Sequence, residues 1–147
     1  METREALLKQ LDENVFELLA TYQVMTKPDR LVYELWTAKN VLAHLTFWHA
    51  SFARNLSDLA REVKPTPLKG KLIDLNQQGV DELRPLTLEQ VMERLVVAHG
   101  IIQENILNPR LSLIPYKKGS RDYSPEEHLE IVIGHIQLHL KDVKAAY

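Results

Sequence analysis

The stretch Ser124-Pro125-Glu126-Glu127-His128-Leu129-Glu130-Ile131-Val132-Ile133-Gly134-His135-Ile136-Gln137-Leu138-His139-Leu140 decides how this chain is read. Its opening is a helix start. Ser124 caps, Pro125 suits the first helical position, and Glu127 completes a capping box. The helix so begun is predicted to run to about Lys144. Along it Val132, His135, Ile136, His139 and Val143 fall on one stripe, expected to face the interior. Two imidazoles on a buried stripe need partners, because unpaired polar groups there cost free energy. A metal ion would satisfy them, and so would ordinary hydrogen bonds.

The same periodicity recurs upstream. Residues 3 to about 25 carry Leu7, Leu8, Leu11, Val15, Leu18, Leu19 and Tyr22 at spacings of three and four, and Pro28 closes that helix. Leu31 to Trp36 is a short apolar connection without a readable pattern. Thr37 then caps a helix from Ala38 to about Glu62, with Val41, Leu45, Trp48, Phe52, Leu56 and Leu59 on one face. Lys64-Pro65-Thr66-Pro67 is a break. Ile73 to Leu83 reads as a shorter helix, weakened by Gly79 and ended by Pro85. Thr87 and Gln90 form a second capping box before a helix to about Leu107, with Val91, Leu95, Ala98, Ile101, Ile102 and Ile106 inward. Four long amphipathic helices with no strand pattern predict an all-α four-helix bundle, with a short extra helix before the third long one.

The 147 residues suit one domain spanning 1–147 with a sizeable core. The net charge of -2 and the absence of a basic block argue against nucleic-acid binding. No apolar run reaches the ~18 residues of a membrane span, and Met1 to Asp12 has no signal-peptide character, so a cytoplasmic location is expected. The chain has no cysteine, so a metal site must use His, Asp, Glu or water. His135 and His139 would supply two nitrogen ligands, and His44 or His49, on opposite flanks of the second helix, a third. Three protein ligands with an open position is the catalytic pattern of zinc, and three imidazoles also suit nickel, iron or manganese. The H-E-x-x-H signature is absent, because Ile136, Gln137 and Leu138 lie between the two histidines.

Other features read more plainly. His128, one heptad before His135 but in the first turn, is expected to be solvated, and His99 to be structural or exposed. Trp36 and Trp48 are expected to be core anchors. Glu126, Glu127 and Glu130 read as a solvated face, as does Asp142, although it stands one turn after His139 and has the reach to orient that ring. Asn108 to Tyr123 is the longest irregular stretch. It reads first as a simple connection; in an enzyme, a loop on a rigid scaffold would cover the site, with Tyr116, Arg121 or Tyr123 toward a substrate.

Trp36-Thr37-Ala38-Lys39-Asn40-Val41-Leu42-Ala43-His44-Leu45 resembles the opening of helix two in the DinB/YfiT-like superfamily, and His135-Ile136-Gln137-Leu138-His139 resembles its H-x-x-x-H on helix four. The resemblance implies a four-helix bundle holding a divalent metal by one histidine from helix two and two from helix four. It assigns those roles to His44, His135 and His139, and puts His49 second. It departs after the last histidine, where Leu140-Lys141-Asp142 stands in place of a Gly-Gln-Ile-like stretch. Members include thiol-dependent transferases and isomerases, and a ClbS/DfsB-like branch that opens a strained ring. The implied activity is that of a metal-dependent transferase or hydrolase of the detoxification or stress type, with a low-molecular-weight thiol as cosubstrate. The competing expectation is a non-enzymatic binding bundle with a structural metal or none, working through a cavity lined by Trp48, Phe52 and Tyr22. Under either, a homodimer is the expected assembly.

Overall fold

The computed structural model describes residues 2–147. Five helices carry the chain among the described residues: α1 (Arg4–Gln23), α2 (Ala38–Ala60), α3 (Leu72–Leu83), α4 (Leu88–Asn105) and α5 (Pro125–Ala145). Their starts lie where the capping residues place them. Thr37, Thr87 and Ser124 each accept from the backbone N–H three residues on, and Asn40, Gln90 and Glu127 return the bond to the cap. These reciprocal bonds satisfy amide groups that the helix itself leaves without partners. Thr3 caps α1 by its hydroxyl alone.

The four long helices form the bundle and α3 is the short extra one. α2 packs chiefly on α4, and α1 on α5. Leu7, Leu11, Leu18, Leu42, Leu56, Leu95, Ile102 and Leu129 meet in one core. On α5 the buried face is Leu129, Ile133, Ile136, Leu140 and Val143, while Val132, His135 and His139 are only half-buried. The stripe expected to face inward is therefore rotated: its histidines stand at the edge of the core and open sideways. Tyr22 is inside this core, donating to the Ala38 carbonyl, and does not line the cavity that holds Trp48 and Phe52.

α3 lies against α2 through Gly79. A Cβ there would sit 2.6 Å from the Phe47 ring, so the residue that weakens the helix is what allows the close approach. Phe47, Trp48 and Leu75 form a small satellite core at this contact.

The segment between α4 and α5 is held at several points. Ile114 and Tyr123 exchange two backbone hydrogen bonds, the Lys118 amide donates to Leu68, and Asn55 of α2 donates to the Pro115 carbonyl. Arg4 donates to the carbonyls of Ile106 and Asn108 and pairs with Glu126 at 2.9 Å. No helix among the described residues is long and apolar enough to cross a membrane.

Candidate metal centre

His44 on α2 meets His135 and His139 on α5. The Nε2 atoms of His44 and His135 are 2.9 Å apart, and those of His135 and His139 are 3.0 Å apart. The three residues offer ligand atoms that all lie within 4.8 Å of one another. Helical spacing produces half of this arrangement, since residues four apart stack on one face. The other half comes from the packing of α2 against α5, which selects His44 and leaves His49 outside the cluster.

The hydrogen-bond chemistry around the cluster fixes one tautomer. Tyr33 has a single hydroxyl proton and donates it to the Asp142 carboxylate at 2.6 Å. Its oxygen must then accept from His139 Nδ1, 2.7 Å away. His139 therefore carries its hydrogen on Nδ1 and turns the Nε2 lone pair toward the other two rings. Asp142, read from sequence as an exposed charge, is half-buried and acts on His139 through Tyr33. Tyr33 itself lies in the connection that gave no pattern. No periodicity or motif marks it, and a chain turn in which the Val32 and Tyr33 amides both donate to the Trp36 carbonyl brings it there.

The three rings cannot satisfy one another. Nε2 of His44 and of His139 both approach the same nitrogen of His135, and His44 Nδ1 is sealed in without a partner. Burial pushes His44 down to about 3, helped by His135 and then His139. Burial and then His139 push His135 down to about 4. His139 is lowered by burial, against the pull of Asp142. All three are neutral near pH 7, which is the form that binds metal. At Zn–N lengths of about 2.0–2.1 Å, tetrahedral ligand nitrogens stand about 3.3 Å apart, a few tenths of an ångström wider than these. The donor set and its spacing fit a divalent ion.

The cluster opens on a cavity of about 530 Å³. Trp36 packs on the His44 ring at 4.9 Å, and Trp48 stacks on Tyr116 at 5.1 Å with the rings 8° apart. Both tryptophans, expected as core anchors, line this cavity, with Phe52 and Asn76. Tyr116 is the residue through which the 108–123 segment reaches it. Arg121 points elsewhere, pairing with Glu127 and covering the Tyr123 ring. Glu126 and Glu127 are thus ion-paired, while Glu130 is solvated.

Two further histidines reach the cavity. His128, expected to be solvated, is 3% exposed, lies flat on Phe52 at 4.0 Å, and has no partner at either nitrogen. Its position in the first turn would normally leave it wet, but Phe52 and Tyr116 close over it. His49 is buried at the cavity wall and meets His99 of α4 at 3.1 Å. His99 is buried and its Nε2 meets Asp12 at 2.7 Å.

No family model matches the sequence, and no curated protein matches it. Solved structures do match. A mycothiol-dependent maleylpyruvate isomerase superposes with a TM-score of 0.77 at 9% identity, over 97% of this chain and 61% of that one. The likeness is one of fold, an all-helical bundle. An uncharacterised protein from Clostridium difficile 630 matches with a TM-score of 0.75 at 13% identity, over 99% and 95% of the two chains. Another from Escherichia coli UTI89 matches at 0.64 and 16%, over 97% and 95%. The chain thus spans about three fifths of the isomerase's length and nearly all of the two uncharacterised bundles.

Proposed function

We propose that this chain is a divalent-metal-dependent enzyme that adds or transfers a low-molecular-weight thiol, or water, onto a small electrophile. The observation that carries the reading is the convergence of the His44, His135 and His139 nitrogens at the wall of a cavity, in an arrangement their own hydrogen bonds cannot satisfy. An ion held by these three supplies Lewis acidity that makes a thiolate or hydroxide available near neutral pH. The protein does the rest. Asp142 and Tyr33 hold His139 in its ligating tautomer. Trp36, Trp48, Tyr116 and Phe52 give the cavity aromatic walls for an apolar or planar electrophile. A structural neighbour whose name records dependence on a thiol cofactor supports the thiol over water. A chain without cysteine has no thiol of its own to use.

Elemental analysis of untagged wild type beside His135→Ala/His139→Ala tests the centre. About one divalent ion per chain in the wild type and none in the double variant is expected. A metal-free wild type that gains no stability with zinc, nickel or manganese overturns the reading and makes the chain a binding bundle. The loaded protein is then assayed with glutathione and chlorodinitrobenzene, where the double variant is expected to be inactive.

A further inference from the structure

His49 lies on α2 about 1.4 turns beyond His44, roughly 7.5 Å along the helix axis. It is 2% exposed and lines the same cavity. Its bonding differs from that of the triad, because it begins a chain that ends at the surface. His49 Nε2 meets His99 Nδ1 at 3.1 Å, and His99 Nε2 meets Asp12 Oδ1 at 2.7 Å. The Asp12 side chain is 40% exposed. The same Oδ1 accepts from Gln103 Nε2 at 2.9 Å.

The directions of these bonds follow from the end of the chain. An ionised carboxylate only accepts, so His99 carries its hydrogen on Nε2. With that one hydrogen, His99 presents a lone pair on Nδ1, which takes the Nε2–H of His49. That leaves His49 with a lone pair on Nδ1. This nitrogen makes no hydrogen bond in the protein, yet it is not sealed off as His44 Nδ1 and both His128 nitrogens are. It is the ring atom open to the cavity.

We propose that Asp12, His99 and His49 form a proton relay between the cavity and the outer surface, with His49 Nδ1 as the acid–base group facing the bound thiol or water. The nature of that X–H substrate rests on the function proposed above. In the outward step the X–H bond breaks, its electron pair stays on X, and the proton joins His49 Nδ1. The His49 Nε2 proton passes to His99 Nδ1, and the His99 Nε2 proton passes to Asp12, which releases it to water. Both rings end neutral, each with its hydrogen moved to Nδ1. Protonation of the product runs the chain back and restores the starting tautomers.

A relay suits this position better than a stored proton. Burial holds His49 down at about 3, with His99 of α4 and then His128 of α5 adding to the effect. An imidazolium has no place there, but a proton that leaves as another arrives creates none.

Asp12→Asn is the decisive variant. Gln103 and His99 both donate to Oδ1, so the asparagine oxygen keeps its place and the bonds survive, but an amide does not accept the proton. NMR of isotope-labelled histidine ring nitrogens is expected to place hydrogen on Nε2 of both His49 and His99 at pH 7, in wild type and variant alike. Exchange of the His49 ring N–H with water is expected to slow at least tenfold in the variant. With metal content and KM unchanged, kcat for the glutathione reaction is expected to fall by about a hundredfold. Hydrogen on His49 Nδ1 in the resting protein, or exchange indifferent to Asp12→Asn, overturns the relay whatever the metal does. A variant as fast as wild type overturns the acid–base role. A wild type with the stated tautomers and Asp12-dependent exchange, but no thiol chemistry, overturns the proposed function and keeps the relay.

Discussion

Two groups of histidines share one cavity and are built on opposite terms. His44, His135 and His139 point three ring nitrogens at one another with too few hydrogens placed to satisfy them. His49 and His99 hand their hydrogens in one direction toward Asp12, and each bond has a donor and an acceptor. The residue type is the same, though His135 and His139 are half-buried where His49 and His99 are buried. What separates a candidate ligand set from a hydrogen-bonded chain is the group at the far side of each ring. Tyr33 with Asp142 turns the His139 Nε2 lone pair inward, while Asp12 turns the lone pairs of His99 and His49 toward the cavity. His128 belongs to neither group, since both of its nitrogens are unpartnered.

Single deletions break this contrast most sharply. His135→Ala is expected to abolish metal uptake, and His49→Ala to leave it at the wild-type level, by elemental analysis of the two proteins side by side. Equal metal loss in both would merge the two groups into one site.

Tyr33→Phe tests the outer support of the triad. It removes the acceptor for His139 Nδ1 and frees that ring to flip, so metal affinity is expected to fall about 10–100-fold by competition with a chelator. An unchanged affinity would show that the packing of α2 on α5 alone orients the ring.

Acid reaches both groups. His44 and His49 are held at about 3, and His128 and His135 at about 4, against about 6.5 in an unfolded chain. The unfolded state therefore takes up protons first. Stability is full above pH 6.5 and is lost as the pH falls toward 4, at up to about 1.4 kcal/mol per pH unit for each ring. Urea midpoints of the metal-free protein at pH 7.5 and pH 5 are expected to show the fall. A flat profile between them would mean that these rings are solvated in solution.

The smallest effect is expected at His128. Both of its nitrogens lack partners and its ring stacks on Phe52, so His128→Phe removes an unsatisfied polar group at similar shape. The change is expected to be neutral or stabilising by about 1 kcal/mol in thermal unfolding. A loss of more than that would reveal a partner for His128 within the cavity.

Much of this molecule is legible in the sequence, and the misreadings share a cause. Thr37, Thr87 and Ser124 mark three helix starts because the bonds that cap a helix are made within four residues. Gly79 is read correctly as a poor helix former, but its reason, the Phe47 ring, lies on another helix. His128 is read as wet from its place in the first turn, and Phe52 and Tyr116 reverse that from elsewhere in the chain. Tyr33 is invisible because a turn, which has no period, delivers it to Asp142.

The sequence by itself determined the five helices and the His135–His139 pair. Caps, periodicity and i to i+4 spacing are local, and the chain encodes them without reference to its fold. The resemblance in the sequence already put His44 before His49, and the packing of α2 on α5 brings His44 to that pair. Only the tertiary structure decided that Asp142 acts through Tyr33 and that His49 connects through His99 to Asp12. Those meetings join side chains from 50 to 109 residues apart, and the packing of one element on another sets them.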